Sequence, residues 1–463
     1  MTSTHDTLVA LATPPGTSAL AIIRLSGSQA FNIAQRIFSG SRAIAGNRSG
    51  RYVGRIAGFD PLSQKHYAVD QVVVHTYKAP HSFTGEDMVE VNCHGSCFII
   101  EEIIRLCLEQ GARPAEPGGF SKRAFLNGKM DLLQAEAVAD LIQAQTQAAL
   151  QQAIGLLDGT LSQKLSAMKE RIRRLCALLE LELDFSEDME FVDRASLQAE
   201  MSALDQEMTM LLRSFTGGQV IRDGAHVVIA GKPNVGKSSL LNRLLQRERA
   251  IVTSQPGTTR DSIEETLRLE GCLFRISDTA GIRETQNEVE LQGVMRTLAL
   301  VEKADILLVL LDAGKALVPE DVALIARLMQ PAEKEILIVL NKADLPLRLD
   351  VAALKDAIAG RTVVNISCKE GTGLDILQQW LVRCVRKRTP EEPGVLTRVR
   401  HHALIQRAQE HLGLAAQSMQ RQLSAEFIAF DIRQALACLG EIVGEVSSED
   451  ILNDIFTKFC IGK

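Results

Sequence analysis

A phosphate-binding loop is the most specific chemical pattern in this sequence. Residues 227–245, VVIAGKPNVGKSSLLNRLL, predict a strand, a loop and a helix, and the loop from Gly231 to Ser238 matches G-x-x-x-x-G-K-[ST]. Backbone N–H groups of such a loop wrap a β-phosphate, aided by the dipole of a helix that begins near Lys237. Lys237 can reach the β- and γ-phosphates, and the Ser238 hydroxyl can ligate Mg²⁺. The loop therefore predicts a nucleoside triphosphate site.

Four segments further along the chain predict that the nucleotide is GTP. DTAG at 278–281 supplies a carboxylate for the Mg²⁺ shell and a glycine amide for the γ-phosphate, and Thr259 in TSQPGTTRD can complete the Mg²⁺ site. LNKADL and ISCKEG each end an apolar strand. Asp344 in LNKADL selects guanine, because its carboxylate can accept from N1–H and the 2-amino group together, and adenine offers no such pair. The residues expected to contact GTP are Asn234, Val235, Gly236, Lys237, Ser238 and Ser239; Thr253, Ser254, Gln255, Pro256, Gly257, Thr258 and Thr259; Asp278, Thr279, Ala280 and Gly281; Asn341, Lys342, Ala343 and Asp344; and Ser367, Cys368 and Lys369.

Hydrolysis of GTP needs a polar side chain that orients the attacking water, and the position that supplies it in many GTPases does not supply one in this chain. Many switch GTPases have a water-orienting Gln directly after D-x-x-G, where this chain has Ile282. The following RETQNEVE offers three carboxylates, Glu284, Glu288 and Glu290. No arginine finger can be assigned, and a monovalent cation is a physical substitute because it places positive charge beside the transferring phosphoryl group. Asn234 in the phosphate loop is a candidate ligand for that cation.

The pattern of apolar residues along the chain predicts a multidomain protein with α/β domains and an α-helical domain. Short apolar runs with one helix predict a small N-terminal α/β domain, and Ala-, Leu- and Gln-rich stretches predict long helices, interrupted at Gly217–Gly218. Continuous apolar runs from about Val220 predict a mostly parallel sheet buried on both faces. The helical texture returns after that sheet, so we expect a helical domain with the P-loop G domain inserted in it. The predicted boundaries are 1–120, 121–218, 219–385 and 386–463.

Composition narrows the class of protein. The 463 residues are 46% hydrophobic with a net charge of −6, and no run approaches the ~20 apolar residues of a membrane span, so we expect a cytoplasmic protein that is not globally basic. The nine cysteines are expected to be free thiols, and Cys93, His94 and Cys97 lack a fourth ligand for zinc. Two basic clusters, 383–388 and 398–402, are interpreted as solvated helix faces or linker, with local nucleic-acid contact as the alternative.

The sequence resembles the tRNA modification GTPases of the MnmE (TrmE) family over essentially its full length. The resemblance rests on ATPPG, IIRLSG, SFTGEDMVEVNCHG, RAFLNGKMDLLQAEAVADLI, GKPNVGKSSLLN, PGTTRD, DTAGIRET and the terminal FCIGK. It implies an N-terminal domain that binds a tetrahydrofolate derivative, in the 5,10-methylene or 5-formyl form, and pairs two chains into a homodimer. It also implies G domains that associate when K⁺ and GTP are bound. With the FAD-dependent partner MnmG, such proteins modify carbon 5 of the wobble uridine of certain tRNAs, adding an aminomethyl-type group whose methylene comes from folate.

The resemblance assigns roles to individual positions. It implies K⁺ ligation by Asn234, Thr253, Gln255 and Thr258, Mg²⁺ ligation by Ser238 and Thr259, and Glu290 as the catalytic glutamate. The positions that match the folate site are Arg24, Glu90, Lys129 and Lys463. Two departures from the family pattern stand out: Gly119 replaces a glutamate, and Cys368 replaces the commoner alanine of the last GTP segment.

Two other classes of GTPase fit the sequence less well. A ribosome-assembly or RNA-chaperone GTPase should carry a basic, aromatic N-terminal surface, which residues 1–120 lack. A lipid-anchored switch would need a C-a-a-X end, but Lys463 and Gly462 do not fit that motif.

For the C-terminal tail we expect instead a helix from Ser447 or Ser448 that packs up to Cys460, with Gly462 as its C-cap and Lys463 near the negative end of its dipole. For Cys460 two interpretations stay open: a nucleophile toward uridine carbon 6, or a semi-buried packing residue.

Overall fold

The structure is a computed structural model. It describes residues 6–46, 48–60, 62–184, 193–247, 264–278, 300–328, 334–350, 358, 360–389, 394–445 and 448–463. Its contacts divide the chain into two units, one of Met1–Gln143, Ile154–Met201 and Arg407–Lys463, the other of Ala144–Ala153 and Ser202–Gln406. The second unit thus draws almost entirely on the middle of the chain; the four finer domain boundaries predicted above stay a prediction. None of the described helices has the length and apolarity to cross a membrane.

The first unit contains a seven-stranded mixed sheet. Its strands are β1 (Leu8–Leu11), β2 (Ser18–Ser26), β3 (Phe38–Gly40), β4 (Gly50–Asp60), β5 (Lys65–Tyr77), β6 (Met88–Gly95) and β7 (Arg113–Pro114). The order is β3-β4-β5-β6-β2-β1-β7, and every pairing is antiparallel except that of β1 with β7. Helices α1 (Ala30–Ile37) and α2 (Cys97–Glu109) share a core with Ile23 and Leu25 of β2. Because side chains alternate along a strand, Arg24 between them points to the opposite face of the sheet.

Helices make up the rest of the first unit. They include α3 (Gly119–Leu126), α4 (Leu132–Gln143), α6 (Thr160–Asp184), α12 (Ala425–Val443) and α13 (Glu449–Phe456). α6 packs along α12, and the apolar stripe of α13, with Leu452, Ile455 and Phe456, packs on Leu132 and Ala135 of α4. Three further helices complete the helical texture that the sequence predicted: α5 (Gln147–Leu157), α7 (Arg194–Asp223) and α11 (Val399–Gln420).

The second unit is built on a six-stranded sheet. Its strands are β8 (Ala225–Ala230), β9 (Glu264–Leu269), β10 (Cys272–Asp278), β11 (Ile306–Asp312), β12 (Glu335–Asn341) and β13 (Val363–Asn365). The order is β13-β12-β11-β8-β10-β9, parallel except for the β9–β10 hairpin, as the apolar runs predicted. Val227 and Ile229 belong to one buried cluster and Val228 and Ala230 to another, so both faces of the sheet are buried. Among the described residues, this unit also contains helices α8 (Lys237–Arg247), α9 (Pro319–Leu328) and α10 (Leu374–Arg388).

The predicted break at Gly217–Gly218 is wrong. Helix α7 continues through both glycines to Asp223. Gly218 is needed for a close approach, since a Cβ there would overlap the carbonyl oxygen of Leu396. The segment that carries Leu396 is fixed there by Gln152, whose buried amide donates to Val395 O (3.0 Å) and accepts from Gly394 N (3.0 Å). The glycine pair therefore marks a crossing of two backbones, which a helix-breaker rule cannot distinguish from a helix end.

Candidate functional sites

The phosphate loop has the form that its sequence predicted. β8 ends at Ala230 and α8 begins at Lys237. The buried Lys237 ammonium donates to the carbonyls of Gly231 (2.8 Å) and Lys232 (3.0 Å), so its charge lies inside the loop. Asn234 has a left-handed backbone (φ 63°) and an exposed side chain, at the outer edge of the loop. The loop thus offers a cation and a helix N-terminus to a phosphate.

Asn341 connects the phosphate loop with the segment that follows β13. Its buried side chain donates through Nδ2 to Val235 O (2.8 Å) and accepts at Oδ1 from Cys368 N (3.1 Å). Gly236 (φ 102°) lies against the same amide, which a Cβ at that position would overlap. The role of Asn341 is therefore to hold two loops at a fixed separation across the end of the sheet.

The segment predicted to select guanine is held by further contacts. The Ser367 hydroxyl donates to Asp344 Oδ1 (2.7 Å), and this hydrogen bond lowers the pKa of the Asp344 carboxyl, so the acceptor for guanine is ionised. Lys342 donates to Asn234 O (3.0 Å) and to Asp312 Oδ2 (2.6 Å). Burial raises the pKa of Cys368 to about 11, so its thiol is neutral and fits the pocket as a small apolar group.

The structure describes all the predicted residues of three segments and the backbone of Asp278. Asn234–Ser239, Asn341–Asp344 and Ser367–Lys369 all meet at the carboxyl ends of β8, β12 and β13. Asp278 ends β10 at the same edge of the sheet. Thr253, Ser254, Gln255, Pro256, Gly257, Thr258, Thr259, Thr279, Ala280, Gly281, Ile282, Glu284, Glu288 and Glu290 lie outside the described residues.

A second polar site lies on the open face of the N-terminal sheet. Arg24 on β2 and Glu90 on β6 are direct cross-strand partners, and the Arg24 Nε and Nη2 atoms donate to Glu90 Oε1 (3.0 and 2.8 Å). Only 13% and 14% of these side chains are exposed. The Tyr77 hydroxyl donates to the other carboxylate oxygen, Oε2 (3.2 Å). Phe83 and Phe120 lie 5.5 and 5.6 Å from the Arg24 guanidinium carbon and flank the cation.

The C-terminal tail closes this site. Arg24 Nη1 donates to Gly462 O (3.3 Å), and Phe120 N donates to Lys463 O (3.1 Å). Gly462 has φ 93° and lies so close to Leu11 O that a Cβ would overlap it. Burial and the neighbouring Arg24 charge lower the pKa of the Lys463 ammonium. Three of the four predicted folate residues, Arg24, Glu90 and Lys463, are therefore in one place.

The tail helix differs from the prediction in three respects. Ser448 caps its start, with Oγ accepting from Ile451 N (3.3 Å), but the helix ends at Phe456 with Thr457 as C-cap, not Gly462. The helix therefore does not pack up to Cys460, and the expected semi-buried position of that thiol is wrong because Cys460 is exposed. The sequence signal was misleading because turns after Phe456 keep Phe459 buried without extending the helix.

Comparison with known proteins decides the family. A family model described as the MnmE helical domain matches residues 132–460, and one described as the GTP-binding protein TrmE N-terminus matches 7–129. The chain belongs to the MnmE family. It is 42% identical to the tRNA modification GTPase MnmE of Chlorobaculum tepidum, over 98% of this chain and 97% of that one. It is 41% identical to the protein of the same name from Syntrophus aciditrophicus, over 99% of both chains.

Two positions singled out by the MnmE resemblance add no side chain to the cluster: Lys129 has no described contact with Arg24 or Glu90, and Gly119 stands where the family pattern has glutamate. Lys129 is exposed and donates to Pro80 O (3.1 Å), on the loop between β5 and β6. A Cβ at Gly119 would make ordinary contacts of 3.6 Å with Ala115 and Leu8. The backbone thus does not require glycine here, and nothing in the structure explains why this MnmE family member lacks the usual glutamate.

Sequence reasoning missed the residues that support the sites. Tyr77, Phe83 and Phe120 surround the Arg24–Glu90 pair; they come from β5, the loop before β6 and α3, and only the tertiary structure brings them together. Asp312 was missed as the partner of Lys342, although it ends an apolar strand at the same edge of the sheet as Asn341. That shared position is a signal the sequence did contain.

Proposed function

We propose that this MnmE family GTPase hydrolyses GTP in a K⁺-dependent manner and, with an FAD-dependent partner of the MnmG type, modifies carbon 5 of the wobble uridine of certain tRNAs with a folate-derived one-carbon unit. Family membership makes the chain a GTPase of tRNA modification. The observation that carries the finer proposal is the coexistence of two preorganised sites in one chain, the guanine loop at Asp344 and the Arg24–Glu90 cluster. A homodimer and a cytoplasmic location stay part of the proposal.

The nucleotide site contains the donors that GTP requires. Lys237 and the N-terminus of α8 would bind the β- and γ-phosphates, and Asp344, kept ionised by Ser367, would bind the base edge. Ser238 and Thr259 would hold Mg²⁺, which neutralises developing phosphate charge when bound. Asn234, with Thr253, Gln255 and Thr258, would hold K⁺, and Glu290 would orient the attacking water.

The N-terminal cluster fits a folate. The Glu90 carboxylate can accept from the amino edge of a pterin through Oε2, because Arg24 donates twice to Oε1 whereas Oε2 accepts only from Tyr77. Lys463 supplies a cation for carboxylates of the glutamate tail, and the flanking Phe83 and Phe120 rings exclude water from the Arg24 side. A tetrahydrofolate derivative combines these features, which supports the 5,10-methylene or 5-formyl form as the ligand.

Hydrolysis rates in matched salts test the nucleotide half of the proposal. We expect faster GTP turnover in KCl than in NaCl at equal ionic strength, because Asn234 is exposed at the loop edge where a cation beside the phosphates would need a ligand. Glu290→Ala should abolish turnover while GTP affinity stays close to that of the wild type. Equal rates in both salts would remove K⁺ from the proposal, and normal turnover of Glu290→Ala would assign the water to another group.

Calorimetric titration with 5-formyltetrahydrofolate tests the other half. Glu90→Gln should weaken binding about 10- to 100-fold, whereas Lys122→Gln, which removes a cation of α3 that contacts Asn453 on the tail helix, should leave it nearly unchanged. Absence of folate binding by the wild type would favour the RNA-chaperone class, whose N-terminal domain needs no small-molecule site. GTP turnover measured on the same samples shows whether each variant is folded.

A further inference from the structure

A basic groove lies on the G-domain sheet away from the nucleotide loops. It has a volume of about 560 Å³ and lies between the C-terminal half of α10 and the turn that joins β9 to β10. Its lining residues are Glu270, Gln379, Val382, Arg383, Arg386 and Lys387. Three of the six are cations, although the whole chain carries a net charge of −6.

The three cations are exposed on one face of the helix. Arg383 lies three and four residues before Arg386 and Lys387, a spacing that places Cβ atoms ~5–6 Å apart. Arg386 donates to Glu270 Oε2 (3.0 Å), and both partners are more than half exposed. Among the described residues, neither Arg383 nor Lys387 has an acidic partner. The groove thus combines two uncompensated cations with one weakly paired cation.

The helix dipole accounts for only part of this charge. Cations in the last turn of a helix are stabilised by its dipole, which explains Arg386, Lys387 and Arg388 at the end of α10. Arg383 lies before the last turn, where the dipole has little effect. Arg383 is exposed and lines the groove together with its buried neighbour Val382.

We propose that this groove binds the phosphate backbone of the tRNA substrate. The inference rests on the proposed function for the identity of the RNA, and on the groove alone for the place of contact. Long cationic side chains at i, i+3 and i+4 can contact neighbouring phosphates of one strand, and they carry no sequence information, so contact would be electrostatic and salt-dependent. Glu270 opposes binding, because its carboxylate competes with phosphate for Arg386.

The test measures the affinity of the full-length chain for a fluorescent tRNA transcript with uridine at the wobble position, by anisotropy over a range of KCl concentrations. Arg383→Glu and Lys387→Glu should each weaken binding about 10-fold and reduce the slope of log K against log salt by about 1. Glu270→Gln should tighten binding about 2-fold, since it frees Arg386. This opposite sign separates phosphate contact from structural damage, which would weaken binding in all three variants.

The matched control is Arg327→Glu. Arg327 is an exposed arginine in the last turn of the G-domain helix α9, so the charge change and the helix position are alike, but it does not line the groove. An equal loss of affinity in this control, or unchanged affinity in Arg383→Glu and Lys387→Glu, overturns the groove as the contact site. Wild-type protein that hydrolyses GTP but binds no tRNA overturns this inference together with the proposed function. If the groove variants lose binding to the protein partner but keep their affinity for tRNA, the groove is a binding site for a protein and not for tRNA.

Discussion

Asn341 should control nucleotide affinity without touching the phosphates. The buried amide holds Val235 O at 2.8 Å and Cys368 N at 3.1 Å, so one side chain fixes both the phosphate loop and the segment that supports Asp344. Asn341→Ala removes the hydrogen-bond partner of a buried carbonyl, Val235 O, and of a part-buried N–H, Cys368 N. Each unsatisfied group costs about 1–3 kcal/mol, which gives about 2–6 kcal/mol for the pair.

Part of that cost should appear as weaker binding, because the free loops must then be ordered by the nucleotide. A share of about 2 kcal/mol corresponds to a dissociation constant about 30 times larger. Asn341→Asp isolates one bond: it keeps the acceptor for Cys368 N but directs a carboxylate oxygen at Val235 O. We therefore expect Asn341→Asp also to weaken binding, although the second loop stays in place.

Binding of fluorescent GDP, followed by anisotropy, measures the effect, and thermal unfolding shows how much of it is lost stability. Arg243→Ala is the control, since Arg243 contacts the same segment through Lys369 O (3.1 Å) from the exposed side and should change affinity by less than about 3-fold. A folded Asn341→Ala protein whose affinity stays within about 3-fold of wild type would refute the proposed preorganisation.

Three further predictions test the helical region and the folate site. Gly218→Ala should lower the thermal unfolding midpoint by about 2–10 °C, because its Cβ meets a carbonyl oxygen, whereas Gly413→Ala, whose Cβ meets nothing within 4 Å inside α11, should raise it. Tyr77→Phe should weaken folate binding about 5-fold in calorimetry, and this effect should disappear in a Glu90→Gln background because the hydroxyl acts through that carboxylate. Because the pKa of Lys463 is lowered, folate affinity should fall as the pH rises, at a lower pH than that at which an ordinary lysine loses its proton. The Lys463→Arg variant should keep its affinity at alkaline pH, because arginine stays protonated there.

Each of these predictions has an outcome that contradicts it. Equal destabilisation by both glycine substitutions would mean that the backbone crossing is not the cause. A Tyr77→Phe effect that persists without the Glu90 carboxylate would show a direct contact with the ligand. A folate affinity that falls identically in Lys463→Arg and wild type would place the titration on another group.

Sequence patterns predicted the elements that have local causes. The apolar runs of β8, β11 and β12 predicted the parallel sheet, and the phosphate loop follows β8 because its glycines and lysine have fixed positions in that motif. The α2 helix ends at Glu109, and Gly111 with φ 95° follows two residues later, a position where glycine is favoured. These features depend on residues close together in the chain, so their signal survives without knowledge of the tertiary structure.

The features that were missed depend on contacts between distant segments. From local sequence alone, Gly218 resembles a helix breaker. Its actual role is to allow close contact with the backbone of Leu396, which lies 178 residues later in the chain. Tyr77 reaches Glu90 only through the register of β5 and β6, and a shift of one residue would turn it to the other face. The end of the tail helix was overestimated because Phe459 continues the apolar stripe of α13 although it lies in a turn.

The tail is held by its backbone, and this leaves the Cys460 thiol exposed. Cys460 O accepts from Gly118 N (3.4 Å), and the carbonyls of Gly462 and Lys463 accept from Arg24 and Phe120, so the position of the tail does not depend on the cysteine side chain. The packing interpretation of Cys460 is therefore wrong, and the nucleophile interpretation stays as a prediction. Cys460→Ser should preserve GTP turnover and thermal stability, because the described hydrogen bonds that hold the tail use its backbone, but should abolish uridine modification in the assay with the partner protein. Full modification by this variant would exclude the thiol from the chemistry, and a lowered unfolding temperature would restore a structural role.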